Sequence, residues 1–240
     1  MRLALPAAAS LVAAGLCTGL SSRSGEAPLG LLVEAPGGEM NLTGSEPGFG
    51  PVGARFTLVE FVDFECPHCA RMAPALHEFA AQNADVRLIH RNYPLSSDCN
   101  ANMQAPMHQH VCDAVVAAAC AGEQGRFWEM QAAMFDHYTA LTPPDLDGYG
   151  ADLGLDAAAF TACRARTQAK EVAAADVTAG ATLQIAGTPS IYLHGAYGDR
   201  WVMLDMGPGD VGQLSDLLGL ARAGKPLPEV KPQPAPEAAP

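Results

Sequence analysis

Two cysteines stand two residues apart in the stretch Phe64-Glu65-Cys66-Pro67-His68-Cys69. At that spacing a pair can supply half of a zinc site, close an inert staple, or cycle between dithiol and disulfide. Zinc needs further ligands, and no second C-x-x-C exists in the chain. The run Cys99…His108-Gln109-His110-Val111-Cys112 could ligate a metal by itself, so a non-enzymic metal-binding module stays open as a reading. Redox chemistry asks for a stabilised thiolate. Cys66 follows the apolar run Thr57–Asp63 and opens a helical pattern. Unpaired N–H groups and the positive end of a helix dipole therefore face its sulfur. Pro67 suits a first helical turn, which needs no amide donor. Cys69 lies about one turn inside, within reach of a short disulfide. His68, between them, can donate to the Cys66 sulfur. Glu65 works the other way, because its negative charge opposes a thiolate next door.

The remaining cysteines are Cys17, Cys99, Cys112, Cys120 and Cys163. Cys17 belongs to a distinct opening segment: Met1-Arg2, then an alanine-rich apolar stretch, then small residues at Ser21 and Ser22. Residues 1–21 read as an export signal. Pro6 and the short apolar length make a poor spanning helix. An uncleaved N-terminal anchor, or a lipid on Cys17, is the alternative, although Leu16 stands where a lipidated cysteine wants a small residue. Export predicts a periplasmic or other extracytoplasmic site. There an even set of six cysteines, the seven less Cys17, implies disulfides. Cys112 and Cys120 lie eight apart on or near one helix, about 12 Å along its axis and too far to bridge. That leaves Cys99–Cys112 with Cys120–Cys163, or Cys99–Cys120 with Cys112–Cys163; loop closure favours the first. Cys99–Cys112 could instead be a second redox pair relaying electrons to a membrane partner. Cys120 and Cys163 could also be reduced, buried small hydrophobes.

The elements that must position these residues follow from periodicity. The chain has 240 residues, 49% of them hydrophobic, enough for one good-sized core. A net charge of -12, only 14 Lys plus Arg and no basic run leave nothing to grip phosphate, which excludes nucleic-acid binding. Residues 22–51 read as a linker, or as an irregular first strand around 30–34. Residues 225–240 read as a disordered Pro/Ala-rich tail. Between them, 52–224 folds. A buried strand spans 56–64, a helix interrupted by Pro74 spans 66–82, and a second strand spans 86–91. Helices follow at 114–121, 127–136, 146–153, 156–166 (capped by Asp156) and 172–185. Two short strands, 190–193 and 201–205, and a helix over 211–223 after an Asp210 cap complete the domain. The pattern predicts an α/β domain with an inserted helical subdomain over about 98–184. Met103, Met107, Trp128, Met130, Met134 and Phe135 are expected in the insertion core, a methionine-rich substrate groove being the alternative. His108 and His110, two apart, share no helix face and read as surface or loop residues.

The segment T-L-V-E-F-V-D-F-E-C-P-H-C-A-R-M-A-P resembles the active-site region of thioredoxin-fold disulfide oxidoreductases, and C-P-H-C looks like the DsbA active site. Glu60, six residues before Cys66, falls where that superfamily keeps a buried acid. Pro74 falls at the helix-kinking proline. G-T-P-S at 187–190 looks like the cis-proline loop, with Pro189 the cis residue and Thr188 before it. The likeness covers about 52–224. It is nearest to the DsbA-like branch found fused to, or beside, vitamin K epoxide reductase homologues. The resemblance implies a thioredoxin fold, a central mixed sheet flanked by helices, with no cofactor and no metal. It implies an exported thiol:disulfide oxidoreductase that oxidises cysteine pairs through a Cys66–Cys69 disulfide. The catalytic set carried over is Cys66, Cys69, His68, Pro67, Glu60, Thr188 and Pro189. The expected partners are reduced or misoxidised exported proteins and a DsbB-like or vitamin K epoxide reductase-like membrane protein. A cis bond at Pro189 would free the Thr188 backbone to pair with an extended substrate. Glu60, if buried, would exchange a proton with Cys69, although strand alternation alone does not prove its burial. Thr188 also precedes the proline in isomerase-like relatives, so a reductase or isomerase is the rival within the fold. A purely structural, cysteine-stapled binding domain is a further one. Glu65 predicts a milder oxidant than the look-alikes.

Overall fold

A computed structural model of the protein describes residues 31–35 and 40–232. The chain runs β1 (Leu31–Glu34), β2 (Gly48–Phe49), β3 (Phe56–Val62), α1 (Pro67–Gln82) and β4 (Val86–Asn92). Five helices come next: α2 (Val111–Glu123), α3 (Phe127–Asp136), α4 (Pro143–Asp152), α5 (Ala157–Arg166) and α6 (Ala169–Thr182). The hairpin β5 (Ser190–His194) and β6 (Val202–Asp205), a 3₁₀ turn at Pro208–Asp210 and α7 (Val211–Arg222) close the fold. The sheet order is β1-β6-β5-β3-β4-β2. β3 is parallel to β4, joined by the α1 crossover, and antiparallel to β5.

Central placement explains the composition of β3. Its β-branched and aromatic residues are covered on both faces, as strands with parallel neighbours require. On one face Leu58 packs with Met72 and Leu76 of α1 and with Leu214 and Leu218 of α7. On the other, Val59 and Phe61 meet Tyr93, Leu183 and Tyr192. Helices α2–α6 enclose a separate core of Cys120, Met130, Met134, Phe135, Leu146 and Phe160, which Phe64 joins from the end of β3. Asp176 of α6 locks this insertion to the sheet by accepting the Asn92 backbone N–H at 2.8 Å. α1 buries Cys69, Met72, Ala73, Leu76 and Phe79, the three-four spacing of one helical stripe, despite Pro74 inside it.

The structure revises several boundaries. Of the two readings of 22–51, the first strand around 30–34 holds: β1 pairs antiparallel with β6, and residues 48–49, read as linker, form β2 against β4. Such short strands carry no periodicity of their own and exist through partners far along the chain. The expected tail is partly docked: Leu227 and Val230 pack on the α1/α7 core, and Glu34 N donates to Lys231 O at 3.0 Å. Asp156 caps α5 through Ala159 N at 2.8 Å. Asp210 stands at the N-cap of α7 but makes no side-chain cap bond; its carboxylate instead accepts from Gly207 N at 2.7 Å and closes the 3₁₀ turn. α4 begins at Pro143 rather than 146 because Thr142 and Asp145 bond reciprocally across its first turn, with Thr142 N donating to Asp145 Oδ2 at 3.0 Å. Residues 1–21, read as an export signal or anchor, lie outside the described residues. Among the described residues no helix is long and apolar enough to cross a membrane.

Candidate active site

β3 ends at Val62, and the chain turns through Asp63, Phe64 and Glu65 before α1. Cys66 occupies the N-cap of α1 with extended backbone, and its carbonyl accepts the first helical bond from Ala70 N at 3.0 Å. Pro67, at the first helical position, sacrifices no needed donor. Both Cys66 and Cys69 are free thiols in this structure. Cys66 keeps 5% exposure, whereas Cys69 is wholly buried.

That difference separates their acidities. Cys66 is pushed down to about 5, chiefly by a hydrogen bond from the Cys69 thiol, against the opposing effect of burial. The backbone N–H groups of Cys69 and His68, and Thr188, add to it. Cys69 is pushed up by burial and by the neighbouring Cys66 sulfur. One sulfur is thus built to carry charge and the other to hold a proton. Across the site the Thr188–Pro189 peptide bond is cis. Thr188 O accepts from Cys66 Sγ at 3.3 Å, which brings together residues 122 apart in sequence.

Three expectations change here. His68 does not hydrogen-bond the Cys66 sulfur through its ring; it is exposed, with Nδ1 2.9 Å from Arg71 Nη2, and only its backbone N–H reaches Cys66. Glu65 turns its carboxylate onto His110 N at 2.8 Å. Glu60 is fully buried, since both faces of β3 are covered. Its Oε1 accepts from Gln131 Nε2 at 3.0 Å, and among the described residues no hydrogen bond joins it directly to Cys69. Gln131 Nε2 also lies 2.9 Å from His90 Nδ1, and His90 Nε2 lies 3.1 Å from Asn92 Oδ1. The acid thus sits in a buried polar chain shared by β3, β4 and α3.

The other four cysteines among the described residues form Cys99–Cys112 and Cys120–Cys163 disulfides. Cys99 and Cys112 are therefore not free to join His108 or His110 in a metal site. The loop they close borders a cleft of about 480 Å³ beside Cys66. Met103, Met107 and His108 line it from that loop, and Ile185 and Thr188 line it from the other side. Met103 and Met107 are therefore not insertion core; Met107 is 66% exposed. Met130, Met134 and Phe135 are core, and Trp128 is partly buried against both helical layers.

Sequence reasoning passed over Asp63 and read His108 as a surface or loop residue, whereas the structure half-buries it against Asp63. Asp63 is fully buried at the end of β3. It accepts from Glu65 N at 2.7 Å and Leu95 N at 2.6 Å, and its Oδ1 lies 2.8 Å from His108 Nδ1. Asp63 raises the imidazole above its ordinary value, with smaller help from Glu65 and Cys66 and against burial. An acid closing the strand just ahead of the cysteine pair is the one local signal.

A dithiol at the first helix of a mixed sheet, faced by a cis-proline loop, with a helical insertion between β4 and β5, defines a thioredoxin fold of the DsbA type. A thioredoxin family model matches residues 43–200, and the chain belongs to that family. A curated relative, "Na(+)/H(+) antiporter NhaA 1" of Salinispora arenicola, is 34% identical over 146 residues, 61% of this chain and 21% of the relative. The chain therefore spans about a fifth of that relative's length. Among solved structures, alpha-DsbA2 of Wolbachia pipientis superposes with a TM-score of 0.58 at 15% identity, covering 72% of this chain and 87% of its own. Pseudomonas aeruginosa DsbA2 gives 0.56 at 22% identity, covering 75% and 95%. These structural likenesses establish the fold.

Proposed function

We propose that this chain is an exported thiol–disulfide oxidoreductase that acts as a dithiol oxidase on cysteine pairs of exported proteins. The observation that carries this reading is the asymmetry of the pair: an acidic Cys66 at a cleft, backed by a buried, proton-holding Cys69. In the oxidised form a substrate thiolate attacks Cys66 Sγ, the Cys66–Cys69 bond breaks, and Cys69 leaves as a thiolate that takes up a proton. A second substrate thiolate then attacks the substrate sulfur of the mixed disulfide and expels Cys66. Two electrons pass from the substrate to the pair, and Cys66 departs easily because its thiolate is stabilised. Met103 and Met107 on the cleft rim offer soft apolar contacts that suit varied unfolded segments. A DsbB-like or vitamin K epoxide reductase-like membrane protein would reoxidise the pair. Glu60, through its buried chain, remains the proposed source of a proton for Cys69.

The test is oxidation of a reduced two-cysteine peptide by the oxidised protein. Cys66→Ser should abolish it, and so should Cys69→Ser, which cannot form the pair's disulfide; given an oxidised peptide instead, the lone Cys66 thiolate of Cys69→Ser should attack that disulfide and hold a mixed disulfide. Turnover by the Cys66→Ser protein would overturn the assignment. Equilibration of the pair against glutathione decides direction, since a strongly reducing couple would indicate a reductase. Stoichiometric zinc with both thiols protected would point to the metal-binding module instead.

A further inference from the structure

Two acidic residues stand within three positions of Cys66 in the chain. Asp63 is two residues from Glu65 and shares a direct hydrogen bond with its backbone, and Glu65 precedes Cys66. Left uncompensated, both would disfavour a thiolate there. The histidine between the cysteines does not offset them. Arginine only donates, so His68 Nδ1 is held as an acceptor by Arg71, three residues on and exposed. That contact ties the His68 ring to the next turn of α1, while His68 still borders the cleft beside Cys66.

A second imidazole stands on the far wall of the same cleft. His108 lines it together with Cys66 and Thr188. Its position is built rather than incidental. Nδ1 donates to the fully buried Asp63 at 2.8 Å, and its backbone N–H donates to Leu95 O at 3.2 Å. Leu95 N in turn donates to the other Asp63 oxygen at 2.6 Å. The loop carrying it is closed at both ends by the Cys99–Cys112 disulfide. The charged and titratable groups that act on the ring are Asp63, Glu65 and Cys66.

We propose that His108, and not His68, is the cation that balances Asp63 and Glu65 beside Cys66, and so sets the stability of the Cys66 thiolate and the oxidising power of the pair. The proposal rests on the redox reading of Cys66 and Cys69. A residue 42 positions downstream of Cys66 takes over the electrostatic role that the dipeptide histidine would otherwise fill. Asp63 orients it, and the disulfide-closed loop delivers it.

The test measures thiolate absorbance of Cys66 against pH, with the glutathione equilibrium measured in parallel, for wild type, His108→Gln, His108→Lys and His68→Gln. His108→Gln should move the Cys66 titration up by about one pH unit, tenfold in thiol acidity, and make the pair less oxidising. His108→Lys, which keeps the charge, should stay near wild type, and His68→Gln should move less than His108→Gln. A merely structural role would shift His108→Lys and His108→Gln alike, and that result overturns the proposal. So does a His108→Gln titration indistinguishable from wild type, or a larger shift in His68→Gln. If His108→Gln does not fold, His108→Asn supplies the neutral ring replacement under the same criteria. A wild-type Cys66 that titrates as an ordinary cysteine would sink the redox reading itself, which is a separate outcome.

Discussion

At the scale of single residues the site is an arrangement of charge around one sulfur. Alkylation of Cys66 in the reduced protein should be half-maximal near pH 5, checked by iodoacetamide labelling across pH 3 to 8. The His108–Asp63 pair has a defined window. Its folded-state value is raised, so its stabilisation is fully present below the ordinary histidine value and is lost as pH rises through the raised one. The stability difference between wild type and His108→Gln should therefore shrink above about pH 6.5, measured by urea unfolding. Gln131 is the neutral tie of the Glu60 chain. Gln131→Leu leaves Glu60 Oε1 without its donor and should cost roughly 1–3 kcal/mol, read from the urea midpoint. Cys66, Cys69 and Thr188-Pro189 are readable as short motifs because their chemistry resides in adjacent residues. Asp63 with His108 and Glu60 with Gln131 are not, since each joins positions 45 and 71 apart. The same limit explains His68: no spacing rule says which way a ring on an exposed helix face will turn.

At the scale of elements, the insertion is held by covalent and steric devices. In the chain-entropy picture a 43-residue separation makes Cys120–Cys163 worth about 4 kcal/mol, and 13 residues make Cys99–Cys112 worth about 3 kcal/mol. The two should differ in kind as well. Cys120→Ala with Cys163→Ala should lower the melting temperature with little change in the Cys66 titration. Cys99→Ala with Cys112→Ala should also disturb that titration, because it frees the loop that carries His108. Gly180 marks where α6 meets the sheet. A Cβ there would lie 2.4 Å from the Tyr93 ring. Gly180→Ala should therefore destabilise by about 1–3 kcal/mol despite its better helix propensity, again read in urea. Helices with strong apolar spacing, such as α3, are legible from the chain to the residue. β2 is not, because a two-residue strand is defined by its neighbour β4, and β1 is legible only as an alternative to linker until its pairing with β6 is seen.

For the whole molecule, redox state and folding stability are two sides of one cycle. The oxidising power of the pair equals the excess stability of the reduced fold over the oxidised one. The depressed Cys66 value contributes above its unfolded value and is lost as pH falls through about 5. Going from pH 7 to pH 4 should remove about 2–3 kcal/mol of the reduced form's advantage. Paired urea titrations of reduced and oxidised protein at the two pH values check this. The fold class was readable as strands split by a helical block, since the periods of the two parts differ so clearly. What composition hid was closure at the sheet edge. Glu34 N and Lys231 O lie 3.0 Å apart, so the described chain enters and leaves side by side. Strand β1, where this happens, is three places from β3 in the sheet, about 14 Å away at ordinary strand spacing. A leash fastened at either end would pull from the same corner. The dithiol would then sweep the same volume whichever end is held, and grafting the unit into a loop of another protein should leave its fold intact.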